Sequence, residues 1–377
     1  MEKVVASRAL LVVSACALLT GAPWAIESPS LQKGVVSGAQ AGGGEQVSAY
    51  PVLGRLATGR LVCLFSVRSE TQEKNMKIVA VVSDDDGRTW SSPATVFDTP
   101  GAPDYDPNVI VDGGRILAFS TTVTERISSS QIWMSESEDG VQWGRPVLLQ
   151  TPHKYIAGKI HQGHRLAAGT LIMGYAWDTW AEQGMPPRTE GEMNMKAGVL
   201  RSTDGGATWK PGADMYVDID KQAPGDVSGL AEPAVVVLHD GRLMTLMRNA
   251  SSKLYRAYSN DGGLTWSEPR PSALTGHNAP AALWLLDGSS DVVAVWDNSP
   301  DNRRTPLVAA LSSDAGKTWS APRVLAETDG KQVSYPSVLQ AQDGSIVAVW
   351  QQQLDHGREV RYARFTRAWL LEEDSEQ

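Results

Sequence analysis

Polar residues recur at equivalent places in a repeating apolar pattern. Tyr50, Asp104, Asp106, His161, Glu232, His277, Asn278 and Tyr335 each stand at the start of an apolar run. Arg68, Glu70, Glu73, Arg126, Asp178, Arg188, Glu190, Glu192, Arg248, Arg303, Arg304, Asp355 and His356 end the return run or occupy the loop after it. Their types fit one kind of chemistry. A guanidinium presents a rigid two-pronged fork to a carboxylate. A phenol is a weak nucleophile near its reference pKa of about 10 and needs a base beside it. Carboxylic acids and imidazoles can move the protons.

The elements that must position these residues are hairpins. Six copies of an apolar run, a DG-like turn and a second apolar run can be read, such as YPVLGRLATGRLVCLFS from Tyr50 and EPAVVVLHDGRLMTLMR from Glu232. Each predicts two antiparallel strands. A third strand-like run follows every hairpin. Five of these runs lead into an eight-residue box: SDDDGRTW, ESEDGVQW, STDGGATW, SNDGGLTW and SSDAGKTW, starting at Ser83, Glu136, Ser202, Ser259 and Ser312. The boxes carry an acid at the third place, Gly at the fifth and Trp at the eighth. They begin 53, 66, 57 and 53 residues apart, a period that signals a propeller or solenoid. Each box reads as a tight turn with a Trp plug. The sixth run, REVRYARFT, has no box and should close the ring. The expectation is an all-β, six-bladed β-propeller of four-stranded antiparallel blades. In each blade the box turn lies on one face. The starts of first strands, the ends of second strands and the loops that follow lie on the other, around a central funnel.

Composition narrows the field. The formal net charge is −9, and no basic cluster is present, which argues against nucleic acid or an anionic membrane surface. No spaced Cys/His set suggests a metal, and no cofactor is expected. Residues 1–25 combine Lys3 and Arg8 with an apolar run too short to span a bilayer, as a secretory signal does. A secreted or periplasmic protein is expected. Lipoprotein anchoring at Cys16 is disfavoured because apolar Ala17–Leu19 follows it. Residues 26–46 read as a flexible lead-in, 47–371 as the propeller and 372–377 as an acidic tail, in a chain expected to be monomeric. Cys63 reads as a buried small hydrophobe, and Asn249-Ala-Ser251 matches a glycosylation sequon.

The boxes and hairpins together resemble the sialidase (neuraminidase) superfamily, from about Val47 to Leu371. The resemblance implies a glycosidase with a three-arginine carboxylate clamp, a Tyr nucleophile paired with a Glu, and an Asp acid/base. On that likeness Glu232, sixteen residues before Arg248, is the Glu. Arg248 and Arg304 are clamp arginines, and Tyr335 is the nucleophile. Ala49 stands where the family has its first clamp Arg. The first B–C loop offers Glu70 and Glu73 rather than Asp, so Glu70, Glu73 or Asp106 would be the acid. Arg68, His161, His277, Asn278 and Trp177 complete the candidate substrate contacts.

Each residue also has a structural reading. Glu232 could be a rim charge, Tyr335 a packing residue, and Arg303 or Arg304 a solvated loop charge. The histidines could be hydrogen-bonded supports, and Trp177 and Trp180 packing plugs. Three functions follow: an exo-glycosidase for a terminal acidic sugar; a uronate-directed lyase or hydrolase with Tyr335 or His277 as base; and a noncatalytic propeller that binds acidic glycans.

Overall fold

The computed structural model describes residues 30–37, 46–69, 75–125, 129–150, 153, 156–157, 161–182, 193–220, 223 and 226–372. The fold is an all-β propeller of four-stranded antiparallel blades. Strand β1 (Leu31–Ser37) precedes β2 (Gln46–Arg55), β3 (Leu61–Ser69), β4 (Lys77–Ser83) and β5 (Ala94–Phe97). Next come β6 (Asp104–Asp112), β7 (Arg115–Glu125), β8 (Ser129–Ser137) and β9 (Val147–Leu149), a separate four-stranded sheet. A six-stranded sheet holds β10 (Ile156–Ala157), β11 (His164–Arg165), β12 (Leu171–Asp178), β13 (Asn194–Ser202), β14 (Lys210–Pro211) and β15 (Ser228–Gly229). Helix α1 (Thr179–Glu182) interrupts it. Two further four-stranded sheets follow. One is β16 (Ala231–Val237), β17 (Leu243–Arg248), β18 (Lys253–Ser259) and β19 (Arg270–Thr275). The other is β20 (Ala281–Leu285), β21 (Val292–Asp297), β22 (Leu307–Ser312) and β23 (Arg323–Ala326). Strands β24 (Val333–Gln340), β25 (Ile346–Gln353) and β26 (Arg358–Phe365) precede helix α2 (Arg367–Leu371).

Five hydrogen-bonded sheets are thus present among the described residues, where six separate blades were expected. The eight-stranded one is the reason. In it β24, β25, β26 and β1 join β2, β3, β4 and β5 through a single parallel pair, Val47 with Arg358. Apolar clusters between neighbouring sheets hold the ring. Val52, Leu64 and Ile78 pack on Val109 and Ile116, and Leu53 and Phe65 pack on Val347 and Val360.

The lead-in over 26–46 is corrected. Leu31–Ser37 pairs antiparallel with β26, from Leu31 opposite Phe365 onward, and covers that strand's open edge. Residues 1–25, expected to be a secretory signal, and residues 373–377 lie outside the described residues. The sequon is also corrected, because the Asn249 amide is buried and donates to Met247 O and Lys253 O.

The boxes are turns. In the fourth, Ser259 Oγ accepts from Gly263 N at 2.8 Å and donates to Asp261, whose carboxylate takes Thr265 N and Thr265 Oγ1. Those donors hold Asp261 down at about 2, with the Thr265 hydroxyl the largest contributor. The degenerate box is shifted by one residue: Ser137 and Asp139, not Glu138, make its bonds. Ser259 is buried, so Ser259→Ala strands the Gly263 amide. That is expected to cost about 1–3 kcal/mol, read as a lower midpoint in urea with unchanged slope. An unchanged midpoint would contradict it.

Candidate active site

The first strands share a device that aims side chains into the funnel. Tyr50, Asp106, Glu232 and Tyr335 each precede a proline and have φ of 56°, 50°, 45° and 56°. At each of these positions the ladder with the next strand shifts register. A proline has no N–H to lose, so a bulge there sacrifices no donor. The residue before it turns left-handed, at roughly 1–3 kcal/mol each. Asn278, two residues before Pro280, does the same with φ 49°. Such strain is concentrated at functional sites.

Asn278 is the hub. Its Oδ1 accepts from Arg248 Nε at 2.8 Å, and its main-chain oxygen accepts from Arg304 Nη2 at 2.6 Å. Two guanidiniums, one from β17 and one from the loop between β21 and β22, thereby face one region. Arg248 also pairs with Glu232 at 2.9 Å, with side chains 9% and 13% exposed. Burial works against the charged form of Arg248. The Glu232 carboxylate and the nearby Tyr335 phenol outweigh it and move its pKa upward. Glu232 Oε2 is buried with no hydrogen-bond partner. The Arg304 guanidinium lies 5.3 Å from the Tyr335 ring, and Tyr50 meets that ring edge-on at 4.8 Å. Burial, with Tyr335 and Asp106 nearby, pushes the Tyr50 phenol up, against Arg358 and Arg304. Glu232, Arg248, Arg304, Tyr335, Asn278, Tyr50 and Asp106 therefore form one contiguous set. It can bind a carboxylate, accept a proton at Glu232 Oε2 and present a phenol oxygen.

The other candidates flank this set or stand apart from it. His161 is buried beneath Glu232, and burial lowers it to about 4, so it is neutral near pH 7. His277 bonds to Asp226 at 3.2 Å and to Ser251 O at 3.1 Å. Asp226 also holds Asn302, which accepts from Asn278. His277 thus braces the hub. Trp177 is corrected: it is buried in a core cluster, donates to Asp214 and stacks on His153 at 4.0 Å, because β12 runs on to Asp178. It is not an open sugar platform. Arg68 lines a cavity with Ala49 and Tyr50. Arg303 pairs with Asp301 on the surface. Glu70 and Glu73 lie outside the described residues, as do Arg126, Arg188, Glu190 and Glu192.

Sequence reasoning missed Asp297, the acid that ends the apolar run VVAVWD. It is buried, accepts from Ser334 Oγ at 2.8 Å and leaves Oδ1 unpartnered. Burial raises it to about 7, against the pull of Arg304 and Ser334. An unfolded Asp titrates near ~3.9. The folded state therefore holds its proton over pH ~4 to ~7, and stability falls as pH rises through that window. Asp297→Asn should flatten the slope and raise Tm at pH 8 by a few degrees. Melts at pH 5 and pH 8 check this; parallel shifts would contradict it.

Fold and site together define a propeller of box-turn blades with a polar funnel. The chain belongs to the BNR repeat-like domain family, whose model matches residues 105–348. A sialidase of Micromonospora viridifaciens is 26% identical over 297 residues, covering 72% of this chain and 37% of that protein. The chain thus spans well under half the length of that relative. The NanB sialidase of Streptococcus pneumoniae superposes with a TM-score of 0.72 at 15% identity, over 89% of this chain and 71% of that one. A Trypanosoma rangeli sialidase with 2,3-difluorosialic acid, described as a covalent intermediate, gives 0.67 at 16% identity, over 84% and 54%.

Proposed function

We propose that the chain is the catalytic propeller of a secreted exo-glycosidase of sialidase type, removing a terminal acidic sugar. The eight-stranded sheet is read as two blades that touch at Val47 and Arg358, which makes six in all. The observation that carries the functional reading is the convergence of Arg248, Arg304, Glu232 and Tyr335 around Asn278. Arg248 and Arg304 take the sugar carboxylate. Tyr335 oxygen forms a bond to the anomeric carbon as the glycosidic C–O bond breaks. The phenol proton passes to Glu232 Oε2. Asp106 gives a proton to the leaving oxygen; Glu70 is the alternative donor. Water then attacks the anomeric carbon, losing a proton to the same acid, and Tyr335 leaves with the proton returned by Glu232. A neutral phenol suits this role, because a carboxylate nucleophile would meet the substrate's own carboxylate. His277 is held by Asp226 and Ser251, which disfavours it as the base of an eliminative reaction. Hydrolysis of a fluorogenic sialoside or glucuronide by the purified chain tests the reading. No release above a Tyr335→Phe control on either substrate would sink it.

A further inference from the structure

One arginine of the funnel takes no part in the chemistry so far. Arg358 opens β26, half-buried, where that strand touches β2 at Val47. Gly357 sets it there. Its φ is 79°, and a Cβ at that place would meet Gln46 O at 2.5 Å, so only glycine lets the turn come this close to β2. The Arg358 side chain makes no ion pair or hydrogen bond among the described residues. It lines a cavity of about 340 Å³ together with Ala49, Tyr50, Arg68 and Tyr105. The small Ala49 leaves that space open. Among the described residues one acid, Asp355, stands in its wall, and it is already bonded to Lys331 at 2.6 Å. Tyr50 joins the cavity to the hub, since its ring meets Tyr335 and both Arg304 and Arg358 act on its phenol.

A half-buried guanidinium without a counter-charge is costly to hold. A second guanidinium, Arg68, lies in the same wall. The volume suits a group of monosaccharide size rather than a single water. We propose that Arg358 binds a carboxylate of the ligand in the cavity beside Tyr50, making the last strand of the chain part of the recognition surface. This rests on the reading of the funnel as an acidic-sugar site. The carboxylate has two sources: the terminal sugar held by Arg248 and Arg304, or an acidic sugar linked next to it.

Calorimetric titration of the full chain, wild type and Arg358→Ala, with N-acetylneuraminate and with its two-carboxylate dimer tests the proposal. A loss of about tenfold or more with both probes assigns the shared terminal carboxylate. A loss confined to the dimer assigns the neighbouring sugar. Unchanged affinity for both overturns the proposal, as does failure of the wild type to bind either. Arg358→Gln serves as a second variant that keeps the bulk. Thermal melts without ligand control for folding; because Arg358 has no partner to lose, Tm should hold or rise slightly. Binding with no turnover on any sialoside, still lost in Arg358→Ala, would sink the hydrolytic reading and leave this one standing.

Discussion

Tyr335→Phe is expected to lower kcat on a fluorogenic acidic glycoside by on the order of 10³-fold or more, with KM little changed. The ring would remain, and with it the edge contact to Tyr50 and the stacking under Arg304. Only the phenol oxygen, the proposed nucleophile, would go. Loss of a group used in the chemical step lowers kcat and kcat/KM together. A packing role would instead leave kcat near the wild-type value. Steady-state kinetics with a melting curve separate the two.

Arg248→Ala should be the most damaging single change. It removes one arm of the proposed carboxylate site and leaves Glu232 buried without its partner. Breaking a buried pair from one side costs about 3–5 kcal/mol, so Tm should fall by several degrees. Affinity for an acidic sugar should fall by about 2–5 kcal/mol, roughly 30-fold to several thousand-fold. The double variant Arg248→Ala with Glu232→Gln keeps the fold from confusing the result. Removing the stranded charge should recover much of the stability and none of the affinity. Recovery of both would place the pair in the scaffold rather than in the site.

The parts of this molecule that were legible in its sequence are local. A Ser, an Asp two residues on and a Gly two further make their bonds within five residues, so the boxes announce themselves. Glu138 and Asp139 are adjacent acids in the degenerate copy, and only the backbone decides which one turns inward. Tyr50, Asp106, Glu232 and Tyr335 each carry their signal in the proline that follows. That dipeptide marks the bulge that turns the side chain to the funnel. Asn278 lacks the adjacent proline, and its use as a common acceptor for two arginines depends on sheets meeting across the ring. Asp297 finds Ser334 from a different sheet, and Arg358 reaches Val47 only by ring closure. Trp177 reads as a candidate substrate contact because Asp178, Trp180 and Glu182 follow it closely. Strand pairing with Lys196 and the bond to Asp214 place it inside instead.

The central claim is that Tyr335 carries the sugar during turnover, with Glu232 taking its proton. Incubation of the chain with 2,3-difluorosialic acid, followed by intact-mass and peptide mass spectrometry, tests that directly. One added sugar per chain is expected, on the peptide that contains Tyr335, and none in Tyr335→Phe. An adduct on another residue, or none in a preparation that hydrolyses sialosides, would contradict it.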